Sequence, residues 1–339
     1  MGHSDHVLGD VRNKIDASDA PLREARNRLA LVRDVAVTFP GALRTYPSGS
    51  IAQHTMIHPV TDGDGGLVLG RRSYPELGPD GGGDAPGVVT EKLCGLLGPA
   101  IRESYPDARC STSKRGPKLY FGAPVEDQDP TVDLVVALTR RDGPGLWIPN
   151  LDKDTWEASD PDGHVELLNA GPIAVRRTRR QVIRLAKAWN GQFSEPAFCS
   201  FHLSVLALES VQGGLSLSAA LGEFFADAAA SLRRGNTADP AGVSAPIKLR
   251  LSRGVAIDRL DKAAAAVADA LDHDDDLQAA RASLARVFWD YIDDPEVSAL
   301  AAAARQLRPR TPVTTTALGL AGAAATVRPA RAYGSPRHR

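Results

Sequence analysis

The stretch YPSGSIAQHTMIHPVTDGDGGLVL, residues 46–69, decides the fold. It reads as an extended segment, a Gly49-Ser50 turn, a short helical run, and then Asp62-x-Asp64 entering an apolar strand. A glycine where a strand gives way to a helix lets backbone N–H groups come close to a phosphate, and the Ser50 hydroxyl adds a donor at the helix N-terminus. Because strand side chains alternate, Asp62 and Asp64 share one face about 6.6 Å apart along the chain, a spacing that two carboxylates converging on hard cations can bridge.

A third carboxylate, Asp133, sits in TVDLVVAL, residues 131–138, where Val132, Leu134, Val136 and Leu138 form the buried face and Asp133 shares the other with Val135 and Ala137. Across a sheet it can join the first two. Three ionised carboxylates about 5 Å apart repel by roughly 3 kcal/mol per pair at an effective dielectric near 20, so such a cluster calls for cations or for raised pKa values. Magnesium, with manganese as its substitute, is the economical answer. A pair of such ions activates a ribose hydroxyl for attack on an α-phosphate and stabilises the departing pyrophosphate.

Outward from this segment, PLREARNRLALVRDV at 21–35 spaces Leu22, Ala25, Leu29 and Val32 as one helical face, with Ser18 or Asp19 as cap. Short apolar stretches between residues 43 and 138, among them LVLG at 67–70 and KLYFG at 118–122, predict a mixed sheet. GPDGGGDAPG at 78–87 predicts a loop before a helix starting near Val88. After Asn169 the pattern becomes helical, near 173–190, 198–212, 216–233, 257–271 and 277–292. From Arg305 onward seven arginines and no acidic residue occur among proline, threonine and glycine, which predicts a disordered basic tail able to dock a regulatory partner or an anionic ligand. The expected organisation is therefore residues 1–170 as a sheet unit with an N-terminal helix spanning both lobes, 171–304 as a helical unit, and 305–339 as tail.

Length and composition agree. At 339 residues the chain exceeds one domain of about 150. Its 43% apolar and 24% charged residues are globular values, which excludes wholesale disorder and collagen-like classes. Forty basic against 41 acidic residues give a formal charge of -1, which argues against a surface that coats nucleic acid. Cys94, Cys110 and Cys199 are scattered and odd in number, so neither a disulfide framework nor a zinc cluster is expected, and a cytoplasmic location fits. The opening MGHSDHVLGDVRNK has no apolar core of a signal peptide, and the longest apolar run, near Ala317–Val327, is too short to span a bilayer; no membrane partner is expected.

The Gly-Ser turn, its spacing to Asp62-x-Asp64 and the later Asp133 resemble the polymerase-β-type nucleotidyltransferase signature. Trp147-Ile148-Pro149-Asn150, Trp156, Asp160-Pro161 with His164, RLAKAWN at 184–190 and Ser200-Phe201-His202 extend the likeness to the bacterial CD-NTase family, relatives of oligoadenylate synthases and animal cyclic GMP-AMP synthase. The resemblance covers about residues 10–300. It implies an α+β fold, a polymerase-β-like mixed-sheet lobe followed by a helical lobe. It also implies an enzyme that joins nucleoside triphosphates into a cyclic di- or oligonucleotide, an alarm signal in anti-phage defence, with a regulatory or effector protein as partner. Carried over by position, Asp62, Asp64 and Asp133 are the metal carboxylates, Gly49 and Ser50 hold the donor triphosphate, and Lys187 neutralises its distal phosphates. Ser200 corresponds to a second triphosphate-contacting serine, and Phe201 stands where relatives often carry a base-stacking tyrosine. Gly65-Gly66 departs from the family, which usually has apolar side chains there. No zinc insertion for gripping DNA is present, so activation by long duplex DNA is not expected.

Plainer readings stand beside these. Asp62 and Asp64 alone fit a polar hairpin, and a calcium loop fails because Gly66 and Ser73 occupy ligand positions. Lys187 shares a face with Arg180 and Arg184 and fits a solvated basic face; Ser200 fits a helix cap and Phe201 a core residue. The pairs His54/His58 and Cys199/His202 are expected to be structural. Two other functions remain open: a transferase acting on tRNA, a protein or an antibiotic, and a catalytically silent relative that binds nucleotides or a partner.

Overall fold

The computed structural model describes residues 2–82, 85–211 and 213–293. The tail expected beyond residue 305 lies outside them. The chain order is α1 (His3–Ile15), α2 (Asp19–Ala36), β1 (Ala42–Ser48), α3 (Gly49–Ala52), β2 (Asp62–Leu69), α4 (Pro86–Arg102), β3 (Arg109–Thr112), β4 (Pro117–Tyr120), β5 (Thr131–Thr139), β6 (Leu146–Asn150), β7 (Thr155–Ser159), α5 (Pro161–Asn169), α6 (Ile173–Gly191), α7 (Ser200–Ser210), α8 (Leu217–Arg234), α9 (Arg253–Asp272) and α10 (Leu277–Ala285).

Seven strands form one mixed sheet in the order β1-β2-β5-β4-β3, with β6 and β7 continuing from the far end of β5. β2 and β5 run parallel over eight register pairs, and β1 lies antiparallel on the other edge of β2. Alternation in β5 is as the sequence predicts: Val132, Leu134, Val136 and Leu138 are buried against Leu29 and Val32 of α2 and Leu93 and Leu97 of α4. Burying each such leucine contributes about 2 kcal/mol. The opposite face is covered by Tyr46, Leu146 and Ile148 packing on Val68 and Ala137.

Gly65 and Gly66, the departure noted in the sequence, have a local reason. A Cβ at Gly66 would lie 2.1 Å from the Tyr46 ring, so the buried tyrosine supplies the apolar cover that the glycine lacks. Pairing on both edges holds β2 extended despite its three glycines.

The helical core is separate. Val182, Leu185 and Trp189 of α6, Leu203 and Leu206 of α7, Phe224 and Phe225 of α8, and Leu260 and Val267 of α9 form it, closed by Val287 and Phe288. Residues 3–15 belong to the same cluster through Val7, Leu8, Val11 and Ile15. α1 is fastened there by Ser4 Oγ donating to Ala270 O at 2.9 Å and by Ser218 donating to Asp5 Oδ1 from both its backbone N and its hydroxyl. α2, by contrast, packs on β2, β5 and α4. The work expected of one spanning N-terminal helix is thus divided between two helices.

Three boundaries differ from expectation. α9 begins at Arg253 because Ser252 caps it, its Oγ accepting from Val255 N. α5 precedes the first helix expected after Asn169; its cap is Asp160, which accepts from Gly163 N at 3.0 Å, with Pro161 in the first turn. α10 ends at Ala285 rather than 292, and the turns that follow bury Val287, Phe288 and Ile292 together. Among the described residues no helix is long and apolar enough to cross a membrane.

Candidate active site

Parallel pairing of β2 with β5 sets the site. In that register Asp64 is the direct partner of Asp133, and Asp62, two residues earlier on β2, lies on the same face. Carboxylate oxygens of Asp62, Asp64 and Asp133 all lie within 4.8 Å of one another, and all three residues are half-buried. Asp133, about 70 residues later in the chain, thus meets the Asp62–Asp64 pair in space.

The electrostatics follow from that crowding. Burial, reinforced by the Asp62 and Asp133 carboxylates, pushes Asp64 well above the usual carboxylate range, against the pull of Lys118 and Lys187. Burial likewise pushes Asp133 up to about 6, while Lys118 opposes the rise. Lys118 Nζ sits 2.5 Å from Asp133 Oδ2, because β4 runs antiparallel to β5 with Lys118 opposite Asp133. Asp133 Oδ1 is buried and has no hydrogen-bond partner. A carboxylate oxygen orphaned beside two further carboxylates is the donor arrangement that a hard divalent cation satisfies. The donor set is all oxygen, which suits Mg²⁺ or Mn²⁺ rather than a soft metal.

Against the carboxylates lies the Gly-Ser turn. Gly49 has φ +62°, and a Cβ there would fall 1.9 Å from Asp64 Oδ2. Only glycine lets the turn come this close to the acid. Ser50 is half-buried at the start of α3, and its Oγ donates to Met56 Sδ at 3.4 Å. Lys187 reaches across from α6, its Nζ donating to Thr55 O at 2.9 Å and to Thr55 Oγ1 at 3.1 Å. Burial lowers Lys187 to about 8, and the attraction of Asp62 and Asp64 opposes that fall.

Ser200 and Phe201 open α7, with Ser200 exposed and Phe201 half-buried. The Phe201 ring lies 4.6 Å, centroid to centroid, from the ring of His164, whose Nε2 is 2.5 Å from Asp239 Oδ1. Asp239 is held in turn by the backbone N–H groups of Val243 and Ser244. Phe201 therefore rests one side on a fixed histidine. His202 is buried, its Nε2 2.7 Å from Thr237 Oγ1.

The CdnC of Escherichia coli MS115-1, solved in complex with HORMA-deltaN, superposes with a TM-score of 0.62 at 17% identity, over 87% of this chain and 99% of that one. The CD-NTase CdnG of Bradyrhizobium diazoefficiens, solved with GTP, gives 0.61 at 15% identity over 89% and 98%. The chain has the CD-NTase fold. DncV of Vibrio cholerae, a cyclic AMP-GMP synthase solved with the linear intermediate pppA(3′,5′)pG, shares that CD-NTase fold at a TM-score of 0.56 and 12% identity, over 87% and 88%. No protein-family model and no curated protein matches the chain.

Lys118 is the residue at this site that sequence reasoning missed. Its signal was present, since Lys118 alternates with buried Leu119 in PKLY, but its partner depends on a cross-strand register that the sequence does not spell out.

Proposed function

We propose that this protein is a nucleotidyltransferase that joins nucleoside triphosphates and closes them into a cyclic di- or oligonucleotide. The observation that carries the proposal is the convergence of Asp62, Asp64 and Asp133 beside Gly49. The three carboxylates would hold two Mg²⁺ ions, which supply, when bound, charge to activate the attacking ribose hydroxyl and to stabilise the departing pyrophosphate.

The chain's own residues supply positioning. Gly49 opens room for the donor phosphates to approach the backbone N–H groups at the start of α3, and the Ser50 hydroxyl turns from Met56 Sδ to donate to them. Lys187, already drawn toward Asp62 and Asp64, provides a positive charge for the distal phosphates, and Ser200 a hydroxyl from the first turn of α7. The half-exposed Phe201 ring offers a stacking face to a base while His164 supports it from the other side. Lys118 favours the ionised form of Asp133 and holds its Oδ2, leaving the buried Oδ1 free to accept a cation.

The aspartates, Gly49 and Ser50 come from the sheet and its turn, while Lys187, Ser200 and Phe201 come from α6 and α7, an arrangement suited to closing around a substrate. The structural likeness to CdnC, which was solved with a HORMA protein, supports a regulatory protein partner, and the likeness to bacterial CD-NTases supports a role in anti-phage signalling in the cytoplasm.

Incubation of purified protein with labelled triphosphates and Mg²⁺ or Mn²⁺, followed by phosphatase, tests the reading. A phosphatase-resistant, protein-free product that disappears in Asp62→Ala/Asp64→Ala supports it. Label appearing only when RNA, a protein or an antibiotic is supplied moves the protein to another class of transferase, and no incorporation with either metal marks a silent relative.

A further inference from the structure

α6 carries arginines at 176, 180 and 184, one turn apart, with Arg177 beside them. Together with Arg12 from the last turn of α1, Ile173 and Gln181, they line a cavity of about 300 Å³. Five guanidiniums thus face one space. Only Arg184 has a carboxylate partner, Asp16 Oδ1 at 3.0 Å; Arg180 is held by the neutral Asn169 Oδ1 at 2.8 Å. Among the described residues Arg12, Arg176 and Arg177 have no ion pair. The Nε atoms of Arg12, Arg176, Arg180 and Arg184 are buried without a hydrogen-bond partner.

Those orphaned donors need an explanation, since a folded protein leaves few buried polar atoms unpaired. Crowding of like charge without compensation is also unfavourable: burial, with Arg176 and Arg184, lowers the proton affinity of Arg180. An anion in the cavity relieves both. The cavity is distinct from the carboxylate site, since neither Lys187 nor any of the three aspartates lines it. Its nearest approach along α6 is Arg184, three residues or about 4.5 Å of helix rise from Lys187, and the other arginines of that helix lie farther away.

We propose that this cavity is a second binding site, for a linear chain of linked phosphates, either inorganic or the tail of a nucleoside triphosphate. Arginines 176 to 184 extend over about 12 Å, which matches several closely linked anionic groups better than one carboxylate, and guanidinium forks pair with phosphate oxygens two at a time. The volume is that of a small-molecule site. Charges that converge on a concavity suit a compact ligand; a duplex needs them spread along an open surface, and the chain's formal charge of -1 offers no such spread. The inference stands independently of the proposed reaction.

The test uses full-length protein carrying Asp62→Asn/Asp64→Asn, in EDTA, so that the carboxylate site contributes no metal-held phosphate. Titration calorimetry with inorganic tripolyphosphate is expected to give a single site. Arg12→Gln/Arg176→Gln/Arg177→Gln in that background weakens it at least tenfold, and Arg177→Glu alone, at an exposed position that folding does not depend on, weakens it several-fold. Equal affinity for ATP and tripolyphosphate assigns recognition to the phosphate chain; ATP binding tenfold tighter assigns the natural ligand to the nucleotides. Absence of tripolyphosphate binding, binding unchanged by the arginine substitutions, or binding of duplex DNA in its place overturns the proposal.

Discussion

The Cα of Gly49 faces the carboxylate of Asp64 so closely that a methyl group in its place would come within 1.9 Å of Oδ2. The turn that would cradle phosphate and the acid that would hold a cation are therefore built as one unit, and neither can move without the other. Gly49→Ala is expected to abolish product formation. Stability should fall by about 1 kcal/mol from the left-handed backbone alone, with the clash adding to it. Urea unfolding and the labelled-triphosphate assay, run side by side, measure the two effects.

Three carboxylates within 4.8 Å repel by about 3 kcal/mol per pair at an effective dielectric of 20. Divalent cations should therefore raise the thermal midpoint of the wild-type protein, by mass action on the folded state alone. Asp62→Asn/Asp64→Asn should melt higher than wild type in EDTA, because the repulsion is gone, and show no response to Mn²⁺. A variant that still gains several degrees with Mn²⁺ would place the cation elsewhere.

Lys118 and Asp133 meet at 2.5 Å, and Lys118 opposes the burial that lifts Asp133 to about 6. Lys118→Met should push Asp133 higher still, so more of it is protonated near neutrality. Mn²⁺ affinity is expected to fall several-fold at pH 6.5 and less at pH 8.5, where Asp133 ionises again. Calorimetric titrations at the two pH values settle it; an equal loss at both means that Lys118 acts on the site's shape instead.

His202 gives a pH effect that is independent of the metal site. It is wholly buried, with Nδ1 unpartnered, and burial lowers its pKa from 6.5 to about 4. The unfolded chain binds the extra proton first, so stability is complete above pH 6.5 and is lost as pH falls toward 4. The loss attributable to this group is about 2 kcal/mol between pH 7.5 and 4.5. Comparing urea midpoints of wild type and His202→Gln at those pH values isolates it: the variant should lose that much less.

Much of this was legible in the sequence, and the reasons are physical. β5 announced itself because Val132 to Leu138 alternate against one apolar layer, and α2 because its face repeats at helical spacing beneath a Ser18 cap. The acidic triad could be named because strand alternation fixes Asp62 and Asp64 together, leaving only the pairing of Asp133 to be guessed. α1 escaped notice although Val7, Leu8, Val11 and Ile15 make one face, because its remaining residues are polar and its helix is secured by contacts with α6, α8 and α10. The arginines of α6 read as a solvated face because the residue that turns them into a cavity wall, Arg12, lies more than 160 positions earlier.

The placement of α1 has a consequence for how the molecule is made. Leu8 and Val11 belong to a core whose other walls are contributed by residues 182–292, so the earliest of these side chains to leave the ribosome must wait for the latest. Until then the apolar stripe of residues 3–15 stays uncovered, while the sheet, whose strands come from neighbouring stretches, can already assemble. Assembly is therefore ordered by synthesis, with the helical unit completed only when α1 packs back into it, a long loop closure that makes this unit the slower of the two to form.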